Sequence, residues 1–255
     1  MSTDASARPA SWVQRNWWWA LDYLYAARQQ MAILAPPWTV GRPRPAPSHW
    51  QRGSAELPEV VLLPGVYEHW TFLRPLGDAL SAAGHRVRVM HGLGINRRTI
   101  DETAERLALT LAAMPIPAAG RVLVAHSKGG LVGKRLLLSS TALAESASAG
   151  LLGLVAVCTP FQGSRLARLM VDPSIREFLP TGTAIVSLGR ETSVNGRIVS
   201  IFGRFDPHIP DGSVLDGAAN VAVPGVGHFL VLAHAATHRA VIDAIASLVR
   251  MTGHV

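Results

Sequence analysis

The fold is decided by a short apolar run that leads directly into a serine and two glycines, Val122-Leu123-Val124-Ala125-His126-Ser127-Lys128-Gly129-Gly130. An unbroken apolar run of this length is typical of a strand covered on both faces, and the residues after it indicate a sharp turn into a helix. Such a turn would hold Ser127 in a strained conformation that lifts its hydroxyl off the sheet. The positions two before and two after the serine must be small, because strand and helix backbones nearly touch there, and Ala125 and Gly129 satisfy this condition. The alternative is a serine that simply caps the following helix.

Around this stretch, short apolar runs alternate with helical patterns. Five further runs predict strands, at Val60–Leu63, Val87–Met90, Leu152–Val157, Ile198–Phe202 and Val221–Val223. Four stretches predict helices, at Phe72–Ala83, Ile100–Met114, Gly129–Leu143 and Phe229–Val249. The second of these helices starts with Thr99-Ile100-Asp101-Glu102, a capping-box pattern. Strands that alternate with helices predict the α/β class, with a mostly parallel sheet and helices on both faces.

The composition limits the kind of protein this is. Of its 255 residues, 49% are apolar and 16% are charged, which predicts a folded chain with a thick core. The net charge of +7 comes from scattered arginines and only two lysines, a pattern that argues against a nucleic-acid partner. A single cysteine, Cys158, excludes an intrachain disulfide and a cysteine-built zinc site. No apolar run is long enough to span a bilayer and the start lacks a secretory pattern, so we expect a cytoplasmic protein.

Residues 1–48 differ from the rest and are expected to form a tryptophan-rich helical extension with a proline-rich linker, followed by a main domain at 49–255. Several apolar side chains recur at helical spacing: Trp17, Leu21, Leu24, Met31 and Leu34. A helix of this kind can lie at a membrane surface through residues 12–38, pack on the main domain, or form an oligomer contact. The run Arg42-Pro43-Arg44-Pro45-Ala46-Pro47 predicts a stiff extended linker.

Residues 59–250 resemble the α/β-hydrolase fold family, and within it the lipase-like esterases. The Ala-His-Ser-x-Gly-Gly form of residues 125–130 occurs in some bacterial lipases. Four other segments match family loops in order: Val61-Leu62-Leu63-Pro64-Gly65-Val66, Thr159-Pro160-Phe161-Gln162-Gly163-Ser164, the acid loop 202–210 and the histidine loop 225–228. The resemblance implies an α/β-hydrolase-type, mostly parallel sheet with a short cap insertion at 161–190, preceded by the N-terminal helical extension. The apolar cap would either wall an acyl pocket or pack against the edge of the sheet.

The resemblance also implies a catalytic triad. Ser127 would be the nucleophile, His228 its general base and Asp206 the acid that orients the imidazole, in the family's chain order. Asp211 and Asp216 compete for the acid's role, and we prefer Asp206 because it directly follows a predicted strand.

The backbone amides of Val66 and Lys128 would form the oxyanion hole. We expect the Lys128 side chain to be solvated and His126 to be a packed neighbour of the turn. No cofactor or metal is implied, since His234 and His238 stand four residues apart without a third ligand.

The sequence therefore predicts a serine carboxylic-ester hydrolase acting on a small-molecule or lipid ester with an apolar acyl group. Two alternatives stay open: an acyltransferase or thioesterase with the same triad, and a non-catalytic member of the fold that binds a partner or membrane. The oligomeric state is not predicted.

Overall fold

The computed structural model describes residues 11–34, 44–142, 150–169 and 171–253. Within these residues, six strands form one sheet in which every neighbouring pair is parallel. They are β1 Glu59–Leu63, β2 Val87–Val89, β3 Arg121–His126, β4 Leu151–Val157, β5 Ile198–Phe205 and β6 Ala219–Val226. Across the sheet the order is β2-β1-β3-β4-β5-β6. The predicted α/β class and all six predicted strands are confirmed.

The described helices are α1 Trp12–Leu34, α2 Arg74–Ala82, α3 Ile100–Ala112, α4 Lys128–Ala142, α5 Pro173–Arg176, α6 Thr183–Arg190 and α7 Ala235–Met251. The capping box at the start of α3 forms in both directions between Thr99 and Glu102. Two predicted helices begin instead as 3-10 turns, at Trp70–Leu73 and Leu230–Ala233. The second of these turns is separated from α7 because the backbone at His234 is extended, with φ −80° and ψ 127°, and α7 begins after that residue.

Helices cover both faces of the sheet, as predicted. Helices α2 and α7 contribute to one apolar layer, and helices α3 and α4 contribute to the other. In β1, Val60 and Leu62 face the first layer, while Val61 and Leu63 face the second. This burial on two sides explains why the strand sequences are apolar without alternation.

Helix α1 contacts the rest of the protein through its more polar side. Asp22 is fully buried, and the Tyr25 hydroxyl donates a hydrogen bond to the carbonyl oxygen of Phe72 at 3.1 Å. The rings of Trp18 and Phe205 lie 5.7 Å apart. Three large side chains of the predicted apolar face are instead exposed: Trp17, Leu24 and Met31. The helix thus packs on the main body of the protein and leaves its apolar side uncovered within the described chain.

The linker region is described only in part. Residues 44–47 form neither helix nor strand. Residues 35–43, which include part of the predicted membrane-contact segment and of the proline-rich run, lie outside the described residues. Among the helices that the structure describes, none has the length and hydropathy to span a bilayer.

The insertion at 161–190 packs on the face of the sheet that α4 also covers. Its buried side chains join that apolar layer: Phe161, Ala167, Phe178, Ile185 and Leu188. Leu169 and Val171 are 76% and 93% exposed. The buried side chains of the insertion therefore pack on one face of the sheet, while other side chains of it face solvent.

Candidate active site

Four loops meet at the carboxyl edge of the sheet. Strand β1 ends in the loop 64–66, β3 leads into Ser127, β5 into Asp206, and β6 into His228. Because the carboxyl ends of parallel strands share one edge, side chains that are far apart in sequence converge there. This edge contains every site residue that the sequence predicts.

The turn at Ser127 has the geometry of an elbow and not of a helix N-cap. Its φ angle is +50°, in the left-handed region, whereas an N-cap residue is extended. A Cβ at Gly129 would lie 2.3 Å from the carbonyl oxygen of Leu63, and one at Gly130 would lie 2.0 Å from the Thr159 hydroxyl. Small residues are therefore required where the helix passes over its neighbours, as the sequence predicted.

Asp206 and His228 form a buried acid–base pair. Nδ1 of His228 lies 2.8 Å from Oδ2 of Asp206, while Oδ1 of Asp206 accepts hydrogen bonds from the amides of His208 and Ile209. Burial alone would raise the pKa of Asp206, but the charge of His228 and these hydrogen bonds outweigh it and lower that pKa to about 2. Burial would lower the pKa of His228, but the Asp206 carboxylate outweighs it and raises that pKa above its ordinary value. An ionised Asp206 therefore holds Nδ1 of His228 in its protonated form.

The two rival acids, Asp211 and Asp216, make other contacts. Asp211 accepts a hydrogen bond from the amide of Arg165 at 3.0 Å and lies 3.6 Å from its guanidinium. Asp216 contributes its backbone carbonyl to the side chain of Asn195. Within the described residues, neither carboxylate is hydrogen-bonded to a histidine, so the structure brings only Asp206 to His228.

His126, the residue before Ser127, packs against His228. The rings of His126 and His228 have centroids 4.7 Å apart, and Ser127 directly follows His126. Within the described chain, neither the Ser127 hydroxyl nor Nε2 of His228 has a hydrogen-bond partner. In structures without substrate, the hydrogen bond between a nucleophile and its base is often long, and it tightens when substrate binds.

The loop after β1 passes directly over the serine. A Cβ at Gly65 would lie 3.0 Å from the Cβ of Ser127. The Gly65 amide already donates a hydrogen bond to Oε2 of Glu68, at 2.8 Å. The amide of Val66 makes no hydrogen bond within the described residues. Lys128 is the first residue of α4, so its amide also lacks an intrahelical acceptor. These two amides are therefore available to a ligand.

The side chain of Lys128 is fully buried, and the expectation that it is solvated was wrong. Its ammonium donates to the carbonyl oxygen of Arg98 and lies 3.6 Å from Oε2 of Glu177, over the ring of Phe178. Burial lowers the pKa of Lys128, and burial also raises the pKa of its partner Glu177. Sequence could not show this, because the covering residues belong to the insertion some 50 positions further along the chain.

A second buried pair, Glu68 and His126, ties three of the loops together. Oε1 of Glu68 lies 2.7 Å from Nδ1 of His126, and its Oε2 accepts the Gly65 amide. Nε2 of His126 lies 2.9 Å from the carbonyl oxygen of His228 and must donate to it. The oxyanion loop, the elbow and the histidine loop are thus joined by one hydrogen-bonded chain.

From this network we predict different losses of stability for two variants of Glu68. Glu68→Ala should lower the free energy of unfolding by about 3 kcal/mol, because it leaves a buried amide and a buried imidazole nitrogen unpaired. Glu68→Gln should cost only about 1 kcal/mol, since its oxygen can accept from Gly65 and its NH₂ can donate to Nδ1 of His126. Urea unfolding measures both values. Equal losses in the two variants, or a loss below about 1 kcal/mol for Glu68→Ala, would contradict the network.

Metal-ligand types also cluster at this edge. Two groups have donor atoms within 4.8 Å of one another, Glu68 with His126 and His228, and Cys158 with Asp206 and His228. Their members already hydrogen-bond to each other as two acid–imidazole pairs, which is the simpler account of their closeness.

Two functional side chains were missed by the sequence reasoning. Glu68 follows a glycine-containing loop without any recognisable spacing to His126. Asp22 is the only acidic residue between positions 5 and 55, which was the one available signal. The structure brings its carboxylate to the backbone of the histidine loop, with an N–O distance of 3.0 Å to the amide of His228.

Three solved structures illustrate what this chain is similar to. A lipase of Bacillus licheniformis, in its mature form, gives a TM-score of 0.59 at 13% identity over 76% of this chain and 94% of its own. Aspergillus fumigatus lipase B gives 0.61 at 16% identity over 78% of this chain, which spans 55% of that protein's length. Naproxen esterase of Bacillus subtilis gives 0.53 at 12% identity over 88% and 96% of the two chains.

No protein-family model matches the chain, and no curated protein matches its sequence. At sequence identities this low, structural similarity establishes the fold alone. The activity must therefore be argued from the site itself. The order of the six strands, the elbow at the end of β3 and these structural likenesses agree with one another. The chain has the α/β-hydrolase fold.

Proposed function

We propose that the protein is a serine carboxylic-ester hydrolase whose triad is Ser127, His228 and Asp206. The observation that carries the proposal is the geometry at one sheet edge. A serine held at positive φ at the end of β3 directly follows His126, whose ring packs against the buried imidazole of His228. A carboxylate fixes Nδ1 of that imidazole. A serine hydroxyl is a poor nucleophile near neutral pH, and this arrangement supplies the base that it needs.

The reaction would proceed in two halves. Oγ of Ser127 attacks the ester carbonyl carbon while its proton passes to Nε2 of His228, and the developing oxyanion accepts hydrogen bonds from the amides of Val66 and Lys128. His228 returns the proton to the alcohol as the carbon–oxygen bond to that alcohol breaks, which leaves an acyl group on Ser127. Water then attacks the acyl carbon while its proton passes to His228. His228 gives that proton to Oγ of Ser127 as the bond between the acyl carbon and Oγ breaks, and the carboxylic acid and free Ser127 are released. Each oxyanion donor contributes about 3 kcal/mol to lowering the barrier.

An apolar cleft near the acid supports an ester with an apolar acyl group. The cleft has a volume of about 600 Å³ and opens beside Asp206, and several of its walls are apolar: Trp12, Trp19, Leu166, Phe205 and Pro210. Whether water or another nucleophile accepts the acyl group depends on how well the site excludes water. Product analysis with competing alcohols and acyl thioesters distinguishes hydrolysis from transfer.

Covalent labelling tests this function directly. A fluorophosphonate should react with the folded protein once per chain, and mass spectrometry should locate the adduct on Ser127. The labelled protein should lose its hydrolysis of p-nitrophenyl esters, assayed over graded acyl chain lengths. A folded protein without an adduct on Ser127 would favour the alternative of a non-catalytic member of the fold.

We further propose that α1 holds the protein against an anionic lipid surface. Its uncovered side carries an apolar stripe of four large side chains that are each more than 60% exposed: Val13, Trp17, Leu24 and Met31. They are spaced four or seven residues apart, so they form one line along the helix. The only exposed charged side chains of α1, Arg15 and Arg28, are positive, which suits anionic headgroups but would bring like charges together if two copies paired.

Vesicle binding tests the lipid surface. The double variant Leu24→Ser with Met31→Ser should bind phosphatidylglycerol-containing vesicles more than about tenfold more weakly than the wild type, because two exposed apolar side chains no longer insert. Leu109→Ser with Met251→Ser removes comparably exposed side chains elsewhere and should bind unchanged. Wild-type protein that does not co-sediment contradicts the proposal. So does a dimer in solution that the α1 variant dissociates, since the stripe would then be covered by a second copy.

A further inference from the structure

Asp22 reaches from α1 into the active-site edge and accepts three backbone hydrogen bonds from consecutive residues. Its Oδ2 accepts from the amide of His228 at 3.0 Å, and its Oδ1 accepts from the amides of Phe229 at 2.8 Å and Leu230 at 2.7 Å. The histidine loop, residues 225–228, is taken below to extend to Leu230. The amides of residues 228–230 have no other acceptor within the described residues, so one carboxylate satisfies all three of them.

The contact is close and restricts which residue can stand at position 227. Asp22 is fully buried, and the basic side chain that lies within 4 Å of its carboxylate among the described residues is His208, whose Nε2 is 4.0 Å away and has no hydrogen-bond partner. Burial, followed by the charge of His228, lowers the pKa of His208 to about 4, so His208 is neutral near pH 7. A Cβ at Gly227 would lie 2.4 Å from Oδ1 of Asp22, and the φ angle there is +87°. Only glycine fits both conditions.

Other contacts keep α1 in a fixed place over the loop. The Trp19 ring stacks on the His208 ring with centroids 6.1 Å apart and planes 9° apart. The Tyr25 hydroxyl holds the helix to the carbonyl of Phe72, and this contact lies one turn beyond Asp22. The Asp22 carboxylate therefore lies on a helix that other contacts also hold in place.

His228 is thus held by its backbone from two directions. Asp22 accepts from its amide, and His126 donates to its carbonyl oxygen. We propose that Asp22 is a positioning residue, which fixes the histidine loop and so sets where the His228 imidazole stands relative to Ser127. The role rests on the proposed hydrolase function. It makes α1, which lies outside the region that resembles the hydrolase family, part of the active site.

The Asp22→Asn variant tests this role by replacing one acceptor oxygen with a donor. The amide oxygen can still accept from Phe229 and Leu230, but its NH₂ then faces the N–H of His228, and the loop must shift. We expect kcat to fall by about 10- to 100-fold, as for a misplacement of about 1 Å, with KM changed less than about threefold. The titratable groups that face His228 are Asp206, Asp22, Glu68, Cys158, His126 and His208. Burial lowers the pKa of His228, and the charges of Asp206, Glu68 and Asp22 raise it.

The acidic limb of kcat/KM should therefore move to lower pH in the variant, a change that loss of stability alone would not produce. Asp243→Asn, an exposed change of the same shape on α7, should leave kcat and the limb unchanged. A folded Asp22→Asn variant with wild-type kcat and an unmoved limb would overturn the proposal. If fluorophosphonate labels Ser127 in both proteins at equal rates, only this inference fails, whereas a wild type that is not labelled contradicts the hydrolase itself.

Amide hydrogen exchange of the wild-type protein tests the three hydrogen bonds to Asp22 without a variant. The amides of residues 228–230 should exchange at least about 100-fold more slowly than free peptide, because their only acceptor is a buried carboxylate. Exchange near the free-peptide rate would overturn the proposal, whatever the folding of the Asp22→Asn variant.

Discussion

Ser127→Ala is expected to lower kcat for p-nitrophenyl ester hydrolysis by at least about 10⁴-fold, and to abolish fluorophosphonate labelling. The reason is that no other group at this edge stands at the elbow, where a nucleophile is presented to the oxyanion amides. The activity that remains should come from the oxyanion hole and substrate binding alone. Stability should change by less than about 1 kcal/mol, because the hydroxyl has no hydrogen-bond partner within the described chain to lose.

The matched control for this variant is Ser187→Ala, which removes an exposed hydroxyl from α6. It should keep wild-type kcat and the full phosphonate adduct. Hydrolysis that survives unchanged in Ser127→Ala, with the protein shown to be folded by its thermal transition, would remove Ser127 from the mechanism.

Asp206→Asn is expected to lower kcat by about 10⁴-fold, through the tautomer of His228. Oδ1 of Asp206 accepts from the amides of His208 and Ile209, so an asparagine would keep its oxygen there and turn its NH₂ toward Nδ1 of His228. Nδ1 would then have to accept, which places the proton of the neutral imidazole on Nε2. A protonated Nε2 cannot take the proton of Ser127.

The same variant should move the pH profile in a defined direction. Hydrolysis needs neutral His228, so kcat/KM rises with pH through the pKa of that group. Since the Asp206 carboxylate is what raises this pKa against burial, its removal should shift the acidic limb to lower pH while the plateau falls. Asp211→Asn is the control, because Asp211 is paired with Arg165 and should leave both features unchanged. If Asp211→Asn caused the larger loss, the acid would have been assigned wrongly.

Much of the fold could be predicted because its signals are local. Each strand is a short apolar run, the start of α3 is a four-residue capping pattern, and the elbow needs small residues at fixed distances from Ser127. Each of these features depends on sterics or hydrogen bonds between residues that are near one another in the chain. The order of the serine, acid and histidine loops then follows from the strand order.

Contacts between residues far apart in the chain could not be predicted from the sequence. Asp22 lies 206 positions from the histidine whose amide it binds, and no spacing rule links them. Helix α1 also shows why periodicity alone misleads, because its pattern indicates an apolar side but not which side is covered. One buried carboxylate with three amide partners turned the polar side inward.

The sequence by itself determined the α/β class, the strands, and the placing of Ser127, Asp206 and His228 at strand ends. Only the tertiary structure decided which acid meets His228, that Lys128 is buried, and that Glu68 and Asp22 hold the loops. The physical reason is that strands and turns are set by neighbours along the chain. The pairing of buried charges is instead set by which groups are left together without water once the chain has packed.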